Sequence, residues 1–203
     1  MQGIVITGIH TEVGKTWVAT ALAAGMSWTY WKPIQTGTPT DTERVMKYGV
    51  STLPERYRLI MPAAPLVAAE AEGRTIDWEY LAAPPPVNNL IIEGAGGLFV
   101  PITYHHFLID LFVRWKLPVI LVVRPYLGAM NHTWLSIHAM RAYGIPLLGI
   151  ILNGTTGDPS ENYFRKTFSL LAELPWDPQA NPHTTFVQSG LNESLSRALA
   201  NIS

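Results

Sequence analysis

The stretch GIVITGIHTEVGKT, at residues 3–16, begins with an apolar run and ends in Gly14-Lys15-Thr16. Ile4–Thr7 predicts a buried strand, and Lys15–Ala24, which is rich in Ala and Leu, predicts a helix. A glycine-bounded loop between a strand and a helix can wrap its backbone N–H groups around phosphate oxygens, and the helix N-terminus adds partial positive charge. We therefore predict a phosphate loop at residues 8–16.

The phosphate loop is one residue longer than the common pattern. Five residues rather than four separate Gly8 from the Gly14-Lys15 pair. In such loops the lysine neutralises the β- and γ-phosphates and the next hydroxyl binds Mg²⁺, which gives Lys15 and Thr16 their expected roles. The alternative is that Gly8 simply ends a strand and Lys15 begins an ordinary helix. The expected nucleotide contacts of this segment are Glu12, Val13, Gly14, Lys15, Thr16 and Trp17.

Further apolar runs predict four more strands of a sheet that is covered on both faces. They do not alternate with polar residues and include Thr29–Trp31, Leu90–Ile92, Pro118–Val123 and Leu147–Leu152. Helices are predicted at Asp41–Tyr48, Phe107–Trp115, Asn131–Tyr143, Glu161–Leu171 and Leu191–Ala200. This alternation indicates an α/β fold of the three-layer P-loop NTPase type, with a mainly parallel central sheet flanked by helices. The proline-rich stretch Ser51–Asn89 is interpreted as loops, with Val67–Glu72 as a candidate short helix.

Size and composition predict a single domain over residues 1–203. Hydrophobic residues make up 48 % of the chain and charged residues 14 %, which suits a large buried core. The net charge of −1 gives no sign of a nucleic-acid partner. The absence of cysteine excludes disulfides, thiolate metal sites and Cys nucleophiles. The histidines share no i, i+4 spacing, so a zinc site is not expected.

The N-terminal segment Met1–Gly8 has no basic region before a long apolar stretch. It is predicted to be a first strand rather than a signal peptide. No run reaches the ~18 uninterrupted apolar residues of a membrane span. We therefore expect a cytoplasmic protein with no membrane partner.

Two carboxylates are candidates for a metal site. Glu93 ends an apolar run and is followed by Gly94-Ala95-Gly96-Gly97, and ligands of α/β sheets gather at such strand ends. An acid there can hold Mg²⁺, and the glycines let the backbone approach a ligand closely. Asp41 follows a loop rich in Gly, Pro and Thr. It is equally well interpreted as a helix N-cap, a position that Asp favours.

Taken together, these motifs resemble the dethiobiotin synthetase family. The phosphate loop has that family's form, including the extra residue. WKPIQTG at residues 31–37 resembles its Lys-Pro element, and EGAGG at residues 93–97 resembles its acid-plus-glycine motif. Leu117–Val123 and the segment that follows it resemble the family's fourth strand and next helix. The matches stay in order from about residue 3 to residue 177.

The resemblance implies an ATP-driven ring closure. An amine of 7,8-diaminononanoate takes up CO₂, the carbamate attacks the γ-phosphate of ATP, and the second amine closes a cyclic urea. It implies that Lys32 and Lys15 are the catalytic lysines and that Thr16, Asp41 and Glu93 bind Mg²⁺. Without the resemblance, Lys32 is better interpreted as a strand-end lysine that reaches solvent.

The resemblance also assigns ligand contacts elsewhere. It places nucleotide contacts at Glu93, Gly94, Ala95, Gly96, Asn153, Pro175, Trp176 and Asp177. It places substrate contacts at Thr11, Thr36, Gly128, Met130, Asn131 and Tyr163, the last four around a carboxylate held across a homodimer interface. His10 stands where the family usually has Asp, so its role stays open. The tyrosine has the simpler interpretation of an amphipathic-helix residue.

Other function classes remain as alternatives. A partitioning or septum-positioning ATPase shares the fold, but those proteins carry a second lysine early in the phosphate loop, and here Lys15 is the only lysine before residue 32. A related amidating ligase needs a Cys nucleophile, which the chain lacks. A nucleotide-binding module without catalysis is disfavoured by the presence of Lys15, Thr16, Lys32 and Glu93.

Overall fold

The computed structural model describes residues 3–177 and 179–201. Its strands are β1 (Gly3–Gly8), β2 (Thr29–Trp31), β3 (Ile34–Thr36), β4 (Thr52–Leu53), β5 (Tyr57–Leu59), β6 (Leu90–Glu93), β7 (Val119–Val123), β8 (Leu147–Thr155) and β9 (Leu170–Pro175). Its helices are α1 (Lys15–Met26), α2 (Asp41–Met46), α3 (Pro65–Ala71), α4 (Trp78–Ala82), α5 (Leu108–Trp115), α6 (Ala129–Ala142), α7 (Glu161–Thr167), α8 (Pro182–Gln188) and α9 (Leu191–Ala200). The predicted first strand is confirmed over its described part, and Met1 and Gln2 lie outside the described residues.

Seven strands form a parallel central sheet in the order β4-β2-β6-β1-β7-β8-β9, and β3 pairs with β5 in a separate parallel pair. β1 lies in the middle of the sheet, and all six of its residues are buried. β6 and β7 are also buried throughout, as expected of strands that are covered by helices on both faces. The predicted three-layer α/β fold is confirmed.

The strand order determines where the functional residues meet. β2, β6 and β1 are neighbours and run parallel, so their carboxyl ends lie at one edge of the sheet. Lys32 follows β2, Glu93 ends β6, and the phosphate loop follows β1. Glu93, which is 61 positions from Lys32 and 77 from Thr16, is thereby brought next to both, as is usual for ligand sites in open α/β sheets.

Two sequence predictions require correction. The helix predicted at Glu161–Leu171 ends at Thr167, and Leu170–Pro175 forms the edge strand β9 instead. The chain becomes extended at Phe168, and β9 pairs with β8 while burying Leu171 and Leu174. Sheet pairing therefore overrides a locally helical composition.

The stretch Ser51–Asn89 also contains more structure than predicted. The candidate helix there is confirmed, with bounds Pro65–Ala71, but β4, β5 and α4 lie in the same stretch. The strands are only two and three residues long, which is too short for a periodic pattern to show. Over residues 3–177 and 179–201, no helix combines the length and the apolar character required to cross a bilayer.

Candidate active site

A cleft of about 1120 Å³ opens at the carboxyl edge of β1, β6 and β2. Most of the residues predicted from sequence to bind phosphate, metal or the reacting end of the substrate line it: Thr11, Glu12, Gly14, Lys15, Thr16, Trp17, Lys32, Thr36, Asp41, Glu93, Ala95 and Gly96. Its lining also includes Gln35, Arg44 and Lys47, which were not predicted. The cleft is large enough for a small ligand together with a nucleotide triphosphate tail.

The phosphate loop depends on left-handed backbone conformations. Gly14, which caps the N-terminus of α1, has φ 88°, and Glu12 has φ 59°. A Cβ atom on Gly14 would collide with Nδ2 of Asn153. That same nitrogen donates a 2.9 Å hydrogen bond to the carbonyl of Val13. The end of β8 therefore braces the loop from behind, at a point where only glycine fits.

Lys15 is held inside the loop. Its side chain is buried, with the residue 6 % exposed, and Nζ donates a 2.9 Å hydrogen bond to the carbonyl of His10. Burial lowers the pKa of Lys15 to about 8, although the Glu93 carboxylate opposes this effect. A phosphate group at this position favours the ammonium form, because an opposite charge stabilises the protonated lysine.

Glu93 is the centre of a hydrogen-bond network. Its Oε1 accepts from the hydroxyl of Thr16 at 2.9 Å and from Nζ of Lys32 at 3.0 Å. Its Oε2 accepts from the hydroxyl of Tyr30 at 2.7 Å. The residue is only 1 % exposed, so each of these donors compensates for a buried negative charge.

Lys32 lies between two carboxylates. Besides its contact with Glu93, Nζ donates to Oδ2 of Asp41. Burial alone lowers the pKa of Lys32, but the charges of Glu93 and Asp41 outweigh it, and the pKa is raised above its ordinary value. The side chain is therefore a buried ammonium ion rather than a solvated strand-end lysine.

Asp41 is not the N-cap of α2. Thr40 is the cap: its hydroxyl accepts from the backbone N–H of Glu43, whose carboxylate accepts in return from the N–H of Thr40. The carboxylate of Asp41 is left to face Lys32 and, at 3.3 Å, Nη1 of Arg44. Its backbone N–H donates to Oε1 of Gln35 at 3.0 Å, which ties the start of α2 to β3.

Three oxygen-bearing side chains that line the cleft, those of Thr16, Asp41 and Glu93, suit Mg²⁺. The hydroxyl of Thr16 donates to Glu93, and Lys32 donates to both Glu93 and Asp41. Across residues 3–177 and 179–201, no group of three or more His, Asp or Glu side chains is arranged to hold a metal ion. Two carboxylates and a hydroxyl match Mg²⁺, which keeps several waters and takes its remaining ligands from substrate phosphates.

The remaining predicted nucleotide residues lie outside the cleft lining. Gly94 continues β6, with its N–H donating to the carbonyl of Ile6 at 2.9 Å. Trp176 is 63 % exposed and follows Pro175 at the end of β9, and the guanidinium of Arg124 lies 5.5 Å from the centre of its ring. Asp177 accepts a hydrogen bond from the N–H of Gln179. Trp176 and Asp177 are therefore on the β8–β9 side of the sheet, whereas Gly94 is beside β1.

The predicted carboxylate-binding residues also lie outside the cleft lining. Gly128 caps α6 with φ 98°, and Met130 and Asn131 lie in the helix's first turn. The start of α6 is close to the phosphate loop, since the His132 ring is 6.3 Å from the ring of His10. Tyr163 lies on α7, where its hydroxyl accepts from Nε1 of Trp134 at 2.8 Å.

Sequence reasoning missed three residues that shape this region. Tyr30 was not predicted, because its contact with Glu93 depends on the pairing of β2 with β6. Gln35 lies within the segment that resembles the Lys-Pro element, but no role was predicted for it. Glu161 is fully buried and accepts from the N–H groups of three consecutive loop residues, Thr156, Gly157 and Asp158. Its burial depends on the β8–α7 loop, which no sequence pattern reveals.

Comparisons with known proteins identify the family. The model of the AAA domain family matches residues 2–184. The ATP-dependent dethiobiotin synthetase BioD of Rhodopseudomonas palustris strain BisB18 is 43 % identical over 202 residues, which cover 96 % of each chain. The protein of the same name from strain BisB5 is 48 % identical over 164 residues, which cover 78 % of this chain and 77 % of the relative.

Solved structures share the fold at low sequence identity. The septum site-determining protein MinD from Pyrococcus horikoshii, complexed with Mg-ADP, has a TM-score of 0.57 and 18 % identity, covering 99 % of this chain and 98 % of its own. A plasmid partition protein of Borrelia burgdorferi B31 has a TM-score of 0.60 and 12 % identity, covering 100 % and 99 %. At such identities the likeness concerns the fold alone. The curated relatives are decisive, and the chain belongs to the ATP-dependent dethiobiotin synthetase family.

Proposed function

We propose that this chain is a dethiobiotin synthase, which closes the ring of 7,8-diaminononanoate with CO₂ at the expense of ATP. One amine adds to CO₂ and loses a proton to give a carbamate. A carbamate oxygen attacks the γ-phosphorus of ATP, and ADP leaves. The second amine attacks the carbonyl of the resulting carbamic–phosphoric anhydride, inorganic phosphate leaves, and the cyclic urea of dethiobiotin forms.

The observation that carries the proposal is the pair of buried lysines in one cleft. Lys15 and Lys32 both line it, and Glu93 contacts Lys32 directly. The carbamate and the triphosphate are both anions, so their approach is opposed by charge repulsion. Two ammonium groups fixed by the fold reduce that repulsion in the transition state without having to reorganise.

The phosphate loop and Lys15 bind the triphosphate in this proposal. Backbone N–H groups at Glu12–Trp17 point to the phosphates from the start of α1. The ammonium of Lys15 exchanges its hydrogen bond with the carbonyl of His10 for contacts with phosphate oxygens. Ala95 and Gly96, which line the cleft, and the preceding Gly94 approach the phosphates by their backbone, and Asn153, Pro175, Trp176 and Asp177 contact the nucleotide base on the β8–β9 side.

Lys32 and the metal ligands act on the transferring group. The hydroxyl of Thr16 and the carboxylates of Asp41 and Glu93 hold Mg²⁺, which supplies charge neutralisation between the phosphates when it is bound. Lys32 then turns from the carboxylates toward the carbamate and γ-phosphate oxygens. Thr11 and Thr36 orient the reacting amines by hydrogen bonding.

The substrate's carboxylate tail is bound at a homodimer interface in this proposal. The start of α6, at Gly128, Met130 and Asn131, offers N–H groups to the carboxylate, and Tyr163 offers its hydroxyl. The single domain of residues 1–203 acts in the cytoplasm, with CO₂ or bicarbonate as the carbon source. Light scattering tests the dimer, and a fully active monomer would contradict it.

Release of ADP in a coupled assay tests the activity. With Mg²⁺ and ATP present, ADP release is expected only when diaminononanoate and CO₂ are both supplied, with one dethiobiotin formed per ADP. Omission of either substrate is the matched control. ATP turnover that is independent of diaminononanoate would contradict the proposal and favour a nucleotide switch of the partitioning type.

A further inference from the structure

One buried side chain next to the cleft has no part in the proposed chemistry. Tyr30 lies in β2, is fully buried, and donates a 2.7 Å hydrogen bond from its hydroxyl to Oε2 of Glu93. Tyr30 pairs in register with Ile91 of β6, and side chains two residues apart in a strand share a face. Tyr30 and Glu93 therefore lie on one face of the sheet, and Lys32, which directly follows β2, is a second donor to the same carboxylate.

The two oxygens of Glu93 have different surroundings. Oε1 contacts Thr16 and Lys32, both of which line the cleft. Oε2 contacts Tyr30, which does not line the cleft. The carboxylate is thus turned so that one oxygen faces the ligand space and the other faces the protein interior. A hydrogen bond between a hydroxyl and a carboxylate is of the strong, charge-assisted kind, so it can fix that orientation.

We propose that Tyr30 is a positioning residue, which holds Glu93 so that Oε1 alone is presented to the divalent cation. This inference rests on the proposed function, because that function places the cation at Glu93. Mg²⁺ requires near-octahedral geometry, so a carboxylate that is free to rotate binds it less well. Without the phenol, Oε2 is a buried charged atom with no partner, and the carboxylate turns toward the cleft to find donors.

A purely structural role is the competing explanation. In that case the hydroxyl of Tyr30 only satisfies a buried acceptor, and its removal lowers stability while leaving cation affinity unchanged. Tyr57 provides the matched control. It is buried, 8 % exposed, and its hydroxyl accepts a 2.8 Å hydrogen bond from the N–H of Asp77, outside the cleft lining. Tyr57→Phe and Tyr30→Phe each remove one buried hydroxyl.

The test is a titration with Mn²⁺, followed by electron paramagnetic resonance, in the presence of a non-hydrolysable ATP analogue. Removing an outer-shell partner typically weakens metal binding by about 10–100-fold, and we expect Tyr30→Phe to raise the Kd for Mn²⁺ by at least about 10-fold. Tyr57→Phe is expected to leave that Kd unchanged. Both variants are expected to lower the Tm, and titrations are run below the lower of the two values.

Each outcome has a distinct meaning. Equal Mn²⁺ affinity in the two variants would overturn the proposal, because the phenol would then serve only the fold. A Tyr30→Phe chain that does not fold at any temperature would overturn it as well. A wild-type protein that binds the analogue but no Mn²⁺ would refute the proposed metal site itself, a result separate from the comparison of the variants.

Discussion

The side-chain amide of Asn153, at the carboxyl end of β8, donates a 2.9 Å hydrogen bond to the carbonyl of Val13 in the phosphate loop. The two residues are 140 positions apart in the chain. The loop's shape is therefore set partly by a strand two places away in the sheet order. Neither residue carries a charge, and their contact positions the N–H groups that we expect to bind phosphate.

Replacement of Asn153 by Ala is expected to weaken nucleotide binding. Loss of a buried hydrogen bond costs about 1–3 kcal/mol, and a cost in that range corresponds to an ATP Kd raised about 5-fold to about 150-fold. Isothermal titration with ATP and Mg²⁺ measures the change. Asn192→Ala, on the exposed surface of α9, is the control. An unchanged Kd for Asn153→Ala would contradict both the role of its hydrogen bond with Val13 and its proposed contact with the nucleotide base.

Replacement of Gly14 by Ala is expected to abolish nucleotide binding. Ala in the left-handed region costs roughly 1–2 kcal/mol by itself, and its Cβ would also collide with Asn153. Gly49→Ala is the matched control, because Gly49 has φ 74° but nothing within 4 Å of its added Cβ. The control is expected to lose stability and retain ATP affinity. Similar losses of ATP affinity in both variants would contradict the account.

Lys32→Ala is expected to reduce dethiobiotin formation by at least about 10²-fold, since removal of one preorganised charge contact costs that much in other enzymes. Binding of ATP with Mg²⁺ is expected to persist, because Lys15 remains in the phosphate loop. The measurements are steady-state ADP release and nucleotide titration. Lys166→Ala, on an exposed position of α7, is the control. If Lys32→Ala forms dethiobiotin at the wild-type rate, Lys32 is not a catalytic residue.

Lys15→Ala is expected to abolish ring closure and also to weaken ATP binding, with the fold retained. Lys15 is the charged group inside the phosphate loop, so its removal affects the bound nucleotide as well as the transition state. Circular dichroism checks the fold, and titration with ATP separates this variant from Lys32→Ala. Full activity in Lys15→Ala would refute the loop's proposed role.

Glu161→Gln is expected to reduce the dependence of stability on acid pH. Burial by itself raises the pKa of the Glu161 carboxyl, but hydrogen bonds from the N–H groups of Thr156 and Asp158 and from Arg165 outweigh it, and the pKa lies below its ordinary 4.5. The folded state then binds fewer protons than the unfolded state. The stabilisation is therefore fully present above pH 4.5 and is lost as the pH falls through the lowered value.

The measurement is Tm against pH for the wild type, Glu161→Gln and the exposed control Glu193→Gln. At neutral pH, Glu161→Gln is expected to lose about 1–2 kcal/mol, because a neutral amide oxygen is a weaker acceptor than a carboxylate. If the Tm of Glu161→Gln falls with decreasing pH as steeply as that of the wild type, another group is responsible for the acid dependence of stability.

Local sequence was sufficient to place Lys15 and Glu93 at the site. Each follows or ends an apolar run, and parallel strands bring such ends to one edge. Lys32 also follows a strand, but its place in the site was predicted only from the family resemblance, because the residues alone favoured a lysine that reaches solvent. Tyr30 was not predictable in the same way, because its role depends on which strand neighbours β2. The order β2-β6 arises from long-range pairing, which a single strand's composition does not encode.

Long-range pairing also explains why the start of β9 was predicted as part of a helix. Residues 168–171 have no turn signal that separates them from α7, and their strand character appears only through pairing with β8. Asp41 illustrates a milder failure. Both Thr40 and Asp41 are residue types that favour the N-cap position. Thr40 is the N-cap because it forms reciprocal hydrogen bonds with Glu43, and Asp41 instead pairs with the ammonium group of Lys32.

A crystal structure with a non-hydrolysable ATP analogue and Mg²⁺ is the most direct test of where the chemistry takes place. The account predicts that the β- and γ-phosphates lie within the loop of residues 8–16, in contact with Nζ of Lys15, and that the cation contacts Thr16 and Oε1 of Glu93. A triphosphate bound anywhere other than the turn that precedes α1 would contradict it.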